Sequence, residues 1–406
     1  MARGKKKAEA VDPFSHVFGS SAVTLESIPD FQVLETQIPG LNRATWINGI
    51  PTGCVIVVHG PNAGGKTTLV TACLASAQRK GHLVGFVDAE RTADKSWFKR
   101  LRLNLDLCAY KLPKTIEDAT EWIHDKINKF TSAQESGAIP PDKQLHIGVD
   151  SITKMQPEDI VSGKQGKKNY GAQANAMSFW LSILIPLVGK TNVVIWLIAQ
   201  ERKRMNKQNW ETEYKITSGE AVLFDASMRF RVTGAGKIKE KVDGDDVVVG
   251  RRHRITIAKN KFGPDGEKVL FYLSNGKGVS PLGLDRARML MDECAENGLA
   301  ALNTPKKSWF TFYDIDGNEL GSFYGEKKAI LALRSNPNMF NTLSSGLAKK
   351  NEEVYKKVLR DRDDLSNFGD DDEDEAPANP RKKRRAAAKK AGKPKTLGTK
   401  LRRRKK

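Results

Sequence analysis

Gly60-Pro61-Asn62-Ala63-Gly64-Gly65-Lys66-Thr67-Thr68 decides the fold of this chain. The stretch satisfies GxxxxGK[ST] and stands between two elements that the pattern requires. Before it, Cys54–His59 (CVIVVH) is a short apolar run that reads as a buried strand; after it, Thr67 to about Arg79 reads as a helix. Glycines in such a turn let successive backbone N–H groups converge on phosphate oxygens, and the helix N-terminus adds partial positive charge. Lys66 is the residue to reach β- and γ-phosphates, and the Thr67 hydroxyl is a ligand for Mg²⁺. A glycine-rich turn matching by accident is the alternative, and the correct flanking elements weigh against it.

Outward from this turn, strands and helices alternate. Leu83–Val87, Leu145–Val149 and Val193–Ala199 read as strands, and Ala119–Phe130 and Ala172–Val188 as helices. This alternation predicts an α/β fold, with a mainly parallel central sheet and helices on both faces. Met228–Thr233, Arg254–Ala258 and Val269–Leu273 have no helices between them and are expected to extend the sheet in antiparallel fashion. A second, small α+β unit is expected from Leu284: a helix to Asn297, a hairpin of Trp309–Tyr313 and Glu319–Tyr324 around Asp316-Gly317, and a helix over Lys327–Leu333. The expected organisation is an N-terminal arm over 1–40, a core over 41–283, a C-terminal domain over 284–362 and a disordered charged tail over 363–406.

The formal charge is +20, and fifteen of the excess cations lie between Asn379 and Lys406, after an acidic block at Asp370–Glu375. A basic tail suggests a polyanionic partner, most commonly nucleic acid; a solubilising end is the alternative. Cys54, Cys73, Cys108 and Cys294 form no CxxC pair, so neither a zinc site nor a disulfide framework is expected, and a reducing cytoplasm fits. No uninterrupted run of ~18 apolar residues suggests a membrane span. The basic opening MARGKKKAEA lacks the apolar stretch of a secretory signal.

Three strand ends carry further chemistry. Asp150 closes an apolar strand, where an acid holds the Mg²⁺ shell in phosphate-binding folds of this kind, though a helix cap is the alternative. In Val87-Asp88-Ala89-Glu90 either Glu90 or Asp88 is placed to activate water, and periodicity does not choose between them. Gln200 ends Val193–Ala199, where an amide senses a γ-phosphate or is simply a polar strand end.

In order and spacing, GPNAGGKTT, VDAERTAD, HIGVDS, WLIAQERKR, SGEAVLFDASMRFRV and IAKNKFGP resemble the RecA family, from about Phe18 to about Leu359. The resemblance implies an ATP- and Mg²⁺-dependent recombinase. Such a protein forms filaments on single-stranded DNA, pairs it with a homologous duplex and hydrolyses ATP in a DNA-dependent way. It implies that Glu90 is the catalytic glutamate and that Asp94 and Trp97 surround the adenine. It implies that Gln200 links the γ-phosphate to a DNA loop, that Lys259 and Lys261 reach the ATP of a neighbouring subunit, and that Phe224 serves the subunit interface. Two loops match the family's DNA-binding segments. The first, about Pro157–Tyr170, has Lys164, Lys167, Lys168 and Tyr170; the second, about Glu201–Gly219, has Arg202, Lys203, Arg204, Lys207 and Trp210. Cations there meet phosphates, and aromatic rings stack on bases. Gln173 and Asn175 stand where the family usually has arginine, and the basic tail departs from the family's acidic one. A hexameric helicase with the same core and a non-catalytic regulatory paralogue are the rival readings; Lys259-Asn260-Lys261 argues against the first, and the retained Lys66, Glu90 and Gln200 against the second.

Overall fold

The structure is a computed structural model that describes residues 17–18, 30–163, 171–203, 214–216, 221–242, 244–303 and 309–364. In chain order it contains β1 (Val33–Leu34), α1 (Pro39–Ala44), β2 (Ile50–Pro51), β3 (Cys54–Gly60), α2 (Lys66–Arg79), β4 (Leu83–Asp88), α3 (Lys95–Arg100), β5 (Cys108–Lys111) and α4 (Ile116–Glu135). There follow β6 (Leu145–Asp150), α5 (Glu158–Val161), α6 (Ala172–Val188), β7 (Val193–Lys203), β8 (Tyr214–Ile216), α7 (Ala221–Asp225), β9 (Met228–Val242), β10 (Asp245–Asn260), β11 (Lys268–Ser274) and β12 (Gly283–Leu284). The last elements are α8 (Arg286–Glu296), β13 (Ala300–Asn303), β14 (Trp309–Tyr313), β15 (Glu319–Tyr324), α9 (Glu326–Ser335) and α10 (Pro337–Asp364).

The central sheet runs β12-β11-β10-β9-β3-β7-β6-β4-β5, with β8 paired to β7. Strands β9, β3, β7, β6, β4 and β5 are mutually parallel. The phosphate-loop strand β3 therefore lies between two parallel neighbours, and all seven of its residues are buried. Strand periodicity assigns its side chains to two cores. Cys54, Ile56 and Val58 join one with α2, while Val55 and Val57 join the other with α4 and α6. The first core reaches back to Leu34 and Ile38. A third cluster gathers α8, β14, α9 and α10 around Leu290, Phe312, Ile330 and Leu343.

Three expectations are corrected here, and one element is added. Met228–Thr233 joins the sheet parallel to β3, and β10, β11 and β12 beyond it add antiparallel, as β8 does beside β7. The β9–β10 hairpin is longer than the apolar runs suggested, because its arms stay paired through charged residues as far as Val242 and Asp245. Strand β7 continues past Ala199 to Lys203, so Glu201, Arg202 and Lys203 are strand rather than loop, paired to β8. Helix α10 was not anticipated; Met339, Leu343 and Leu347 bury one face at helical spacing. Among the described residues, no helix is long and apolar enough to cross a membrane.

Candidate nucleotide site

The strand-end residues converge on a cleft of about 530 Å³ lined by Asn62, Ala63, Gly64, Gly65, Lys66, Thr67 and Thr68, together with Glu90, Asp150 and Gln200. Gly60 and Pro61 lead into it. At Gly60 a Cβ would sit 2.1 Å from the Val232 carbonyl oxygen, so β9 passes too close for any side chain. Gly65, at φ +99°, opens α2 in a left-handed conformation.

Lys66 is buried, and its ammonium donates to the Pro61 carbonyl at 2.8 Å. Burial lowers its pKa, opposed by the charges of Asp150, Glu90 and Glu201. The Thr67 hydroxyl donates to Asp150 Oδ2 at 2.5 Å. Burial pushes the Asp150 carboxyl up to about 6; the Thr67 bond and Lys66 pull it down, and Glu90 and Asp88 add to the rise. A hydroxyl beside a buried carboxylate is a hard-oxygen donor pair that suits Mg²⁺, which takes one or two protein oxygens plus phosphates and waters.

Asp88 and Glu90, left open by sequence, part company here. Asp88 is buried, accepting from the Thr92 and Ala93 amides and from the Tyr110 hydroxyl at 2.9 Å. It is committed to holding the turn after β4. Glu90 instead faces the cleft: Ser151 Oγ donates to it at 3.0 Å, and the Gln200 amide donates to the same oxygen.

Other expected residues lie elsewhere. Asp94 caps α3, accepting from the Ser96 and Trp97 amides, and Trp97 packs half-buried against the first core; neither lines the cleft. Lys259 donates to the Phe224 carbonyl at 2.5 Å, while Lys261 and Phe224 are exposed, the latter by 73%. Arg202 is exposed on β7, and Lys203 ends that strand. Lys164, Lys167, Lys168, Tyr170, Arg204, Lys207 and Trp210 lie outside the described residues. Gln173 donates to the carbonyls of Ile152, Thr153 and Met155, so its amide holds the turn after β6.

Sequence reading missed Lys154, Arg251 and His253, which complete the cleft. His253 Nδ1 lies 2.7 Å from the Gly64 carbonyl, and its ring stacks on Phe271 at 5.0 Å. No local pattern marks it, since the contact spans 189 residues of chain.

Comparison with known proteins agrees with this geometry. The model of the RecA N-terminal domain matches residues 5–280. The chain is 32% identical over 366 residues to Protein RecA of Paramagnetospirillum magneticum, covering 88% of this chain and 92% of that one. It is 30% identical over 362 residues to Protein RecA of Sinorhizobium fredii, with coverages of 88% and 92%. To Protein RecA of Mesorhizobium japonicum it is 30% identical over 382 residues, with 93% and 96% covered. With a phosphate loop, a strand-end carboxylate and a strand-end glutamine in one cleft, and with kinship over nearly its whole length, the chain belongs to the RecA family.

Proposed function

We propose that the protein is an ATP-dependent recombinase acting in DNA recombination and repair, a DNA-dependent ATPase whose nucleotide state sets its grip on single-stranded DNA. The observation that carries the reading is the hydrogen bond from the Gln200 amide to Glu90. It joins the group suited to activating water with the strand tip that leads into the second cationic segment.

The proposed roles are supported by the cleft lining for Asn62 to Thr68, Glu90, Asp150 and Gln200, and by the family resemblance for the other residues. The backbone from Gly60 to Thr68 cradles the phosphates, with Lys66 against their charge. Thr67 and Asp150 would hold Mg²⁺, which would supply neutralisation of phosphate charge. Glu90 orients water and takes its proton. Asp94 and Trp97, at the start of α3, serve the adenine. Gln200 gives up Glu90 for the γ-phosphate when ATP arrives, and returns after hydrolysis. Lys259 and Lys261 act on the ATP of a neighbouring copy, so hydrolysis depends on a filament in which Phe224 is covered. Lys164, Lys167, Lys168, Tyr170, Arg202, Lys203, Arg204, Lys207 and Trp210 contact DNA through phosphates and base faces, without reading sequence. The partners are single-stranded DNA, a homologous duplex and further copies of the chain, in the cytoplasm of a bacterial or phage-infected cell.

Strand exchange between a circular single strand and a linear homologous duplex tests this, with wild type compared to Lys66→Ala. Exchange that needs ATP and Lys66 is expected. Exchange absent in wild type, or unchanged in Lys66→Ala, refutes the reading.

A further inference from the structure

Immediately beside Gln200 lies an ionic network, centred on a buried carboxylate, to which the proposed roles assign nothing. Glu201 is one residue further along β7, so it projects from the opposite face of the strand. Its side chain is only 3% exposed. Both oxygens are taken by Arg231 of β9, Nε to Oε1 at 2.9 Å and Nη2 to Oε2 at 3.0 Å. Such a two-pronged pairing fixes direction as well as distance. His59, the last side chain before Gly60, places Nδ1 2.7 Å from the same Oε1. Register puts His59 directly beside Arg231 on β9 and Ala199 on β7. A fourth strand joins through Tyr214 of β8, whose ring lies 4.6 Å from the Arg231 guanidinium. Burial alone would raise the Glu201 carboxyl, yet the bonds from His59 and Arg231 hold it down at about 2.

The network touches the threshold of the phosphate loop through His59, the residue after the sensor through Glu201, and the far end of the second cationic segment through Tyr214. Between Lys203 and Tyr214 runs the stretch with Arg204, Lys207 and Trp210. Its two ends are thus tied to the sheet by one carboxylate and one guanidinium.

We infer that Glu201 and Arg231 form a positioning clamp, which makes the segment between β7 and β8 follow the nucleotide state of the phosphate loop. This rests on the nucleotide-switched DNA binding proposed above. A buried carboxylate held by a two-pronged guanidinium suits the task, because the pairing tolerates few arrangements, and leaving the carboxylate alone is unfavourable. A displacement of Gln200 therefore carries Glu201, Arg231 and Tyr214 with it instead of dissipating in a loose loop.

The test measures the affinity of the full-length protein for a fluorescent oligo-dT, with a slowly hydrolysed ATP analogue and with ADP, each with Mg²⁺. The readout is the ratio of the two dissociation constants. Glu201→Gln should lower that ratio by at least about fivefold, the lower range for coupled sites. Arg231→Lys, which keeps one cation, should fall between Glu201→Gln and wild type. Tyr214→Leu, at a position 37% exposed, should lower the ratio while leaving the KM for ATP without DNA unchanged. It decides the matter should Glu201→Gln fail to fold. Equal weakening in both nucleotide states would mark a merely structural pair and overturn the inference, as would a wild-type ratio preserved in both Glu201→Gln and Tyr214→Leu. A wild-type ratio near one would instead sink the functional reading beneath it.

Discussion

Gly65→Ala tests whether the β9–β10 hairpin buttresses the phosphate loop. A side chain at φ +99° costs about 1–2 kcal/mol, since the left-handed region suits glycine. The added Cβ would also lie 2.8 Å from His253 Nδ1, the atom 2.7 Å from the Gly64 carbonyl. His253 is buried and stacked on Phe271, so it cannot swing clear, and the substitution loses this hydrogen bond, at about 1 kcal/mol. The free loop escapes both costs by leaving this conformation, and nucleotide binding must restore it, so together they amount to about 2–3 kcal/mol, or roughly 30–150-fold weaker nucleotide binding. Titration with a fluorescent ADP analogue measures it. In a His253→Ala background the collision disappears and only the backbone cost of about 1–2 kcal/mol remains. The double-mutant cycle should therefore show about 1 kcal/mol of coupling. Additive effects, with Gly65→Ala costing as much in both backgrounds, would refute the buttress.

Three further outcomes are expected. Glu90→Gln keeps the hydrogen-bonding shape but removes the base; DNA-stimulated turnover should fall about 10²–10⁴-fold with ATP affinity nearly intact, checked by single-turnover hydrolysis beside nucleotide titration. Phe224→Ser removes an exposed ring; unfolding free energy should move by less than about 0.5 kcal/mol, while filaments on single-stranded DNA are lost in electron micrographs. His146 is buried and its pKa is depressed to about 3, chiefly by burial and then by His82. Below about pH 6.5 the unfolded chain takes up a proton that the native state refuses. Native stability therefore falls with decreasing pH by up to about 1.4 kcal/mol per unit until about pH 3. Urea unfolding between pH 7 and 4 should show a shallower decline in His146→Gln; an identical decline would clear His146 of the effect.

The fold was legible where burial imposes a simple pattern. Cys54–Val58 and Val193–Ala199 are apolar throughout, and Leu145–Val149 is broken only by His146, because both faces of a parallel sheet are covered. Legibility failed where long-range pairing overrides composition. Glu201-Arg202-Lys203 reads as charged loop, yet β8 and the Arg231 pairing hold it as strand. Asp88 and Glu90 are two residues apart, the spacing of one strand face, so sequence does not separate them; the strand ends at Asp88, and the partners Tyr110 and Gln200 distinguish the two acids. In the site, the phosphate loop announces itself because its chemistry is local. His253 does not, because its value lies wholly in meeting a carbonyl from a distant part of the chain.

The sheet order also bears on how the protein is made. Strand β3 leaves the ribosome well before both of its neighbours, β7 and β9, which are encoded far downstream of it. The loop after Gly60 lacks its flanking supports until Arg231 has left the ribosome, roughly 170 residues later, or about 10–30 s at ordinary elongation speeds. During that interval the nascent chain carries a phosphate-binding motif without the architecture that gives it shape. A message truncated before the codons for β9 should therefore yield a polypeptide unable to hold nucleotide, although every residue of the motif is present.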